Sequence, residues 1–447
     1  MIKKLKQLLS RYGKGRSAKS IHLAISQSFI ALLFIFVDFV FSKQLTVANF
    51  GFFKEVFFIL NLGIPLATFG IPEGYKYFIA KEKDYSFYFK NLTCVLFLIA
   101  AGILGFIGLL HLLHVANFID LKQYFGVSFL FPLPLFFFIL NQSLRYTYIN
   151  LDTTALLTRL SAYGAVLSAI LIFAITFSLA ELTTYAVLLP VVIYSGIFGF
   201  PVLFYYIKAP VQPSKASFEW ASVKKMLKYG FPLYLATFAG LLSVYLDKLI
   251  VSLFENEATF AIFAVGAFEI PLFAMLSAAF SQQIFPSMVS SIDKGNYDEA
   301  QGLWLQTTKK VSMITYPFIV ICMFFADDII YFMYSSAYED SIILFKTYLL
   351  IALFRNNSYG ILLTAKGETK IITIVSVSIL GINLISSLVL YYFYGIPGII
   401  YGSLISTLFM WSFYLNKEKM FGAYFREIIM NKTLIVLTIL VLLFYFL

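Results

Sequence analysis

The chain is short of charge, cysteine, histidine and phosphate-binding loops, and each shortage closes a class of function. Asp, Glu, Lys and Arg make up 13% of its 447 residues, while 60% are hydrophobic and the mean hydropathy is +0.86. Soluble domains average about 25% charged and about 45–50% apolar residues, so a water-soluble multidomain enzyme is excluded. The two cysteines, Cys94 and Cys322, lie far apart in separate apolar runs, which leaves no disulfide framework or Cys-based metal site to expect. His22, His111 and His114 lack the helical H-x-x-x-H spacing of a zinc site. His111 and His114 share a helix face at a membrane edge, an interfacial position. A Gly-rich loop ending in Lys-Ser/Thr is missing, so no ATPase is expected in this chain. Neither a metal nor a cofactor is expected.

What is present is long apolar runs. A membrane-spanning helix needs about 20 such residues, and twelve stretches qualify: 21–42, 51–71, 91–113, 124–143, 156–178, 185–207, 229–253, 258–284, 311–333, 341–363, 371–393 and 397–415. A thirteenth, 433–447, either spans or ends as a tilted tail. Continuous runs of this length also argue against a transmembrane β-barrel, whose strands alternate in about ten residues.

The net charge of +10 invites a nucleic-acid partner, but its distribution argues against one. With a cytoplasmic N-terminus, the inside segments collect most of the basic residues, from Lys3, Lys4 and Lys6 to Lys417, Lys419, Arg426 and Lys432. Lys43 and Lys122 fall in outside loops, which otherwise carry acids such as Glu181, Glu255, Glu257, Asp327, Asp328, Glu339 and Asp340. That is the positive-inside asymmetry of a multi-pass protein. The first 19 residues are too long and polar for a simple signal-peptide n-region. Ile2, Leu5, Leu8 and Leu9 share one helical face opposite lysines, the pattern of a short interfacial helix on an anionic leaflet.

The basic loop 208–228 carries Pro210 and Pro213 and divides the spans six and six. Six being even, the two halves share one orientation, as in a parallel repeat. Asp38 followed by Ala48-Asn49-Phe50-Gly51 matches Asp247 followed by Ala258-Thr259-Phe260-Ala261. Lys81-Glu82-Lys83-Asp84-Tyr85 matches Asp293-Lys294-Gly295-Asn296-Tyr297. The expected organisation is a basic cytoplasmic interfacial segment (1–20), a six-helix lobe (21–207), a linker (208–228), a second six-helix lobe (229–415), and a basic loop with the thirteenth segment (416–447). No loop is long enough for a soluble catalytic domain, so a transporter rather than an enzyme is expected.

Several stretches carry a resemblance: Asp247-Lys248-Leu249-Ile250, residues 257–263, and Phe285-Pro286-Ser287-Met288 leading to Gly295-Asn296-Tyr297. They resemble the polysaccharide-synthesis branch of the MOP (multidrug/oligosaccharidyl-lipid/polysaccharide) exporter superfamily, over about residues 20–415. The resemblance implies an all-α, MATE-like membrane fold of twelve or thirteen helices in two lobes related by pseudo-two-fold symmetry. It also implies a flippase for an undecaprenyl-diphosphate-linked oligosaccharide repeat unit, serving O-antigen, capsule or exopolysaccharide synthesis in a bacterial inner membrane. The implied partners are the lipid-linked glycan, membrane lipids, and the polysaccharide polymerase and chain-length machinery. It brings no shared catalytic set, so no site residue is carried over from it.

Site candidates come from the cost of an ionisable group in hydrocarbon, several kcal/mol unless it faces a cavity or a counter-group. Arg355, with Asn356 and Asn357 behind it, lies well inside span ten, and Glu269 lies inside span eight. A guanidinium grips phosphate oxygens bidentately, so Arg355 is read either as a pyrophosphate or glycan contact or as half of an ordering pair with Glu269 or a carbonyl. Glu269 is read as a coupling-ion site or as a counter-charge to a cavity cation. Lys346 is a further cavity candidate. Asp38, Asp247, Lys248, Lys54 and Glu55 lie toward outer span ends, as gate or ion residues or as pairs that snorkel to the interface. Lys76, Arg145 and Arg159 line the cytoplasmic side, where a basic mouth would gather an anionic lipid head.

Three other functions compete. A cation-coupled drug exporter of the same superfamily would favour an acidic or apolar cavity over Arg355. A peptidoglycan-precursor flippase would carry two extra C-terminal spans. A membrane-embedded acyl- or glycosyltransferase would need a His or paired carboxylates at a membrane face, which His111 and His114 do not provide.

Overall fold

The computed structural model describes residues 32–116, 130–150, 154–178, 195–202 and 218–446, apart from 83, 196, 201, 269, 356 and 357. The described residues contain helices and no strands. The interfacial segment 1–20, most of span six, the start of the linker, Glu269, Asn356 and Asn357 lie outside them.

The first helix, α1, is described over 32–44. It is followed by α2 (Val47–Leu66), α3 (Ile71–Glu82), α4 (Tyr85–Val115), α5 (Pro132–Asn150) and α6 (Thr154–Ser178). Then come α7 (Trp220–Phe254), α8 (Glu257–Gly266), α9 (Pro271–Asp293), α10 (Tyr297–Phe324) and α11 (Ala326–Met333). The chain closes with α12 (Ser341–Arg355), α13 (Ile361–Ala365), α14 (Thr369–Tyr394), α15 (Ile396–Lys417), α16 (Phe421–Ile429) and α17 (Lys432–Phe446). The thirteenth apolar segment is therefore a helix.

Three described helices are individually long and apolar enough to cross a membrane: Tyr85–Val115, Lys370–Tyr394 and Ile396–Lys417. The number rises to five if two sharply bent pairs each count as one span. The protein is multi-pass. Several runs read as continuous in sequence are interrupted. Span eight divides into α8 and α9, because Pro271 opens a new helix and has no amide hydrogen to continue the previous one. Span nine bends by 72° between α10 and α11. Span ten ends its first helix at Arg355 and restarts after Gly360, whose φ of 81° suits a residue without Cβ. Side chains cap the starts: Asp84 accepts from the Phe87 amide at 3.0 Å, and Asn256 from the Thr259 amide at 2.9 Å.

The chain forms two compact units. One comprises residues 1–45 and 55–238, the other 46–54 and 239–447. In the first unit, α3 and α7 approach so closely that a Cβ on Gly70 would collide with Gly230, and one on Gly74 with Met226. Tyr75 and Thr147 share a buried hydroxyl–hydroxyl bond of 2.6 Å, and Asn91 Oδ1 accepts from the Glu219 amide at 2.8 Å just before α7 begins.

In the second unit α14 and α15 meet at close range. Gly398 and Gly402 lie one turn apart on α15, and a Cβ on either would strike Leu390 or Ser387 of α14. Small residues at this spacing let membrane helices meet backbone to backbone, where dispersion and interhelical hydrogen bonds replace the hydrophobic effect. α17 packs on α10 and α12: Phe324 and Phe444 meet edge to face at 5.0 Å, and Thr347 and Tyr445 share a 3.2 Å hydroxyl contact. Phe50, from the 46–54 segment, is fully buried against Tyr334 and Tyr338.

Candidate functional site

Among the described residues, a concentration of polar groups inside a span is built on Asp247, within the second unit. α7 turns this residue inward, 3% exposed. From α12, Tyr348 Oη donates to Asp247 Oδ2 at 2.6 Å. From α15, Ser403 Oγ stands 2.8 and 2.6 Å from the two carboxylate oxygens. The same hydroxyl is 3.3 Å from Asn383 Oδ1 on α14. Ser387 Oγ is 3.0 Å from that amide oxygen, and Asn383 Nδ2 reaches the Ser243 carbonyl at 3.4 Å. Four helices thus converge on one carboxylate through hydroxyl and carboxamide groups. Hydrogen bonds to a charged acceptor are about twice as strong as neutral ones. They still leave a negative charge deep in a low-dielectric region, which a proton or a monovalent cation would neutralise. The oxygens of Asp247, Asn383 and Ser403 are the hard donors such a cation prefers. Among the described residues, no three of His, Cys, Asp or Glu come together.

Arg355 belongs to the same unit. It is half-buried, ends α12, and acts electrostatically on Asp247. A cation at a helix C-terminus is favoured by the partial negative charge of the last carbonyls. Behind the break, Ser358 gathers two serines from α9: Ser277 Oγ lies 2.9 Å from its hydroxyl, and Ser281 also hydrogen-bonds it. Trp304 Nε1 donates to the Ser358 carbonyl at 3.2 Å, serving a backbone group released by the broken helix.

The remaining sequence candidates scatter. Lys346 pairs with Asp327 at 3.8 Å, tying α12 to α11. Lys248 stands over the Tyr245 ring at 5.9 Å and Lys54 over the Phe50 ring at 5.7 Å. Asp38 and Glu55 are both buried, each engaged with other groups. Lys76 is exposed, 3.5 Å from Glu73 and over the Tyr146 ring. Arg159 is exposed on α6, and Arg145 lies on α5. Asp247 does not form an outward pair with Lys248. The residues that sequence reading missed are Tyr348, Asn383, Ser387 and Ser403. A signal existed for three of them: Asn383 and Ser387, one turn apart, and Ser403 with Ser406, interrupt otherwise apolar helices.

The first unit holds a different feature, an apolar cavity of about 800 Å³ bordered by Leu60, Leu66, Phe106, Leu135 and His111. Its histidine keeps Nδ1 2.9 Å from the Ile107 carbonyl one turn earlier.

Sequence comparison decides the family. The profile of a family described as "Polysaccharide biosynthesis protein" matches residues 40–343. The chain belongs to that family. No curated protein matches the sequence significantly. Among solved structures, this polysaccharide-biosynthesis chain is similar to an inward-facing multidrug resistance MATE family transporter of the MOP superfamily. The identity is 15%, the TM-score 0.64, and the match covers 90% of this chain and 97% of that one. It is similar to the lipid II flippase MurJ in an inward closed conformation, at 17% identity and TM-score 0.64, over 96% and 97% of the two chains. It is also similar to a MOP superfamily transporter from Pyrococcus furiosus, at 13% identity and TM-score 0.59, over 90% and 94%. The MATE-like fold implied by the resemblance therefore holds, and so does the polysaccharide-synthesis family.

Proposed function

We propose that this protein flips a lipid-linked oligosaccharide repeat unit, carried on undecaprenyl diphosphate, from the inner to the outer leaflet of a bacterial cytoplasmic membrane. The N-terminus and basic loops face the cytoplasm, and transport proceeds by alternating access without covalent chemistry. One observation carries this reading: a chain of the polysaccharide biosynthesis family has a guanidinium, Arg355, at the end of a half-helix in an apolar run, within electrostatic reach of a buried carboxylate. An anionic diphosphate head calls for such a cation, and the planar fork suits phosphate oxygens. Asp247 serves as the coupling residue, exchanging a proton or a monovalent cation as the transporter cycles. In hydrocarbon an ionisable group of this kind marks a functional pathway.

The test is deletion of the gene in its host, followed by extraction of lipid-linked oligosaccharides and assignment of their leaflet. Unpolymerised repeat units accumulating on the cytoplasmic face are the expected result. Arg355→Ala should reproduce that accumulation while inserting normally in the membrane. Unchanged lipid-linked glycans with altered drug tolerance would instead assign the protein to drug export, which the MATE likeness favours. Accumulation of peptidoglycan precursor would assign it to the lipid II reaction named for MurJ.

A further inference from the structure

The end of the second unit that carries the basic loops contains an acid outside both the transport reading and the sequence candidates. Glu418 closes α15 and is 5% exposed. Its Oε2 lies 3.2 Å from Lys366 Nζ, and its buried Oε1 has no hydrogen-bond partner in the protein. It borders a cavity of about 10 Å³ together with Trp304, Tyr359 and Tyr414, which is room for about one water.

Three segments far apart in sequence meet at this residue. Gln301 of α10 donates to the Glu418 backbone carbonyl at 2.6 Å. Lys366 ends the five-residue α13 and places its ammonium 3.7 Å over the Tyr297 ring of α10. Gly360 and Gly367, with φ of 81° and 77°, bracket α13 on both sides. The other titratable groups facing this joint are Tyr414 on the same helix, Tyr359 in the turn before α13, and Tyr424 of α16, which is 3.3 Å from Tyr359. Glu368 acts on Lys366 from the next turn, and Lys417 and Lys419 flank Glu418 in the chain.

We infer that Glu418 is a proton-binding site whose occupancy controls the hold on α13 and, through it, on the break in span ten that ends at Arg355. With the carboxylate charged, the Lys366 ion pair clamps α13 between its two left-handed glycines. Proton uptake replaces that ion pair by a neutral contact and releases the short helix. Burial pushes the Glu418 carboxyl up to about 7 and pushes Lys366 down, so the change of charge falls in the ordinary range of cell interiors. Oε1, the oxygen left without a partner, is where the proton arrives.

The site is readable without substrate, which separates this inference from the flippase proposal. In the purified full-length protein carrying Trp220→Phe and Trp411→Phe, Trp304 is the remaining tryptophan and borders the cavity. Its fluorescence should titrate with a midpoint near pH 7. Glu418→Gln should abolish that titration. Lys366→Gln removes the cation that favours the charged form, and should move the midpoint upward by about one unit or more. A titration unchanged in Glu418→Gln, or a midpoint that stays put or falls in Lys366→Gln, would overturn the inference. Should the glutamine variant fail to fold, the direction of the Lys366→Gln shift still decides.

Discussion

Asp247 and Lys248 are neighbours in the chain but part company in the fold. Successive residues on an α-helix point about 100° apart, so the two cannot share a face. Lys248 stays near Tyr245, three residues back, whereas Asp247 turns to the interior and meets Tyr348 and Ser403. The sequence reading paired charges by adjacency, which a helix does not honour. It found Asp247 because a charge in an apolar run is conspicuous. It missed Tyr348 because tyrosine is common here and its hydroxyl signals nothing until a carboxylate 101 residues away comes within 2.6 Å. Tyr348→Phe removes one hydrogen bond to a buried charge and should cost about 1.5–3 kcal/mol. A clear fall in the melting temperature of the purified protein checks this, and an unchanged melting temperature would show that the carboxylate is neutral or solvated.

At the scale of elements, existence was legible and continuity was not. Tyr85–Val115 reads as a span from hydropathy alone, and it is one helix of 31 residues. Spans eight, nine and ten read the same way and are broken, because hydropathy averages over a window and does not register a single unhelical peptide unit. Pro271 and Gly360 were visible at two of the breaks. At the bend between α10 and α11 the residue is Phe325, with no proline or glycine there to announce it. The α14–α15 contact rests on Gly398 and Gly402. Gly402→Val should force those helices apart, losing at least the ~1–3 kcal/mol of an overpacked contact. Gly381→Ala on α14, where an added Cβ meets nothing within 4 Å, is the matching control and should melt like the wild type. Equal melting of both variants would contradict the close approach.

For the whole molecule, the prediction concerns orientation. The proposed topology puts Lys294 inside and Glu339 outside, and both residues are exposed. With Cys94 and Cys322 replaced by Ser, Glu339→Cys should react in intact cells with a membrane-impermeant thiol reagent. Lys294→Cys should react only after lysis. The reverse pattern would invert the topology and with it the assigned direction of flipping.

Composition, the asymmetry of lysine and arginine, and the run lengths determined by themselves that this is a multi-pass helical protein. Those features follow from the solvent: a bilayer core tolerates few charges and requires about 20 apolar residues per crossing, and both demands are written locally along the chain. Only tertiary structure decided which polar groups act together. Asp247 meets Ser403 across 156 residues, Glu418 meets Lys366 across 52, and Ser358 meets Ser277 across 81. Such pairings depend on which helix faces are apposed, and helix rotation is set by packing between glycines, serines and aromatic rings that single-sequence periodicity does not specify.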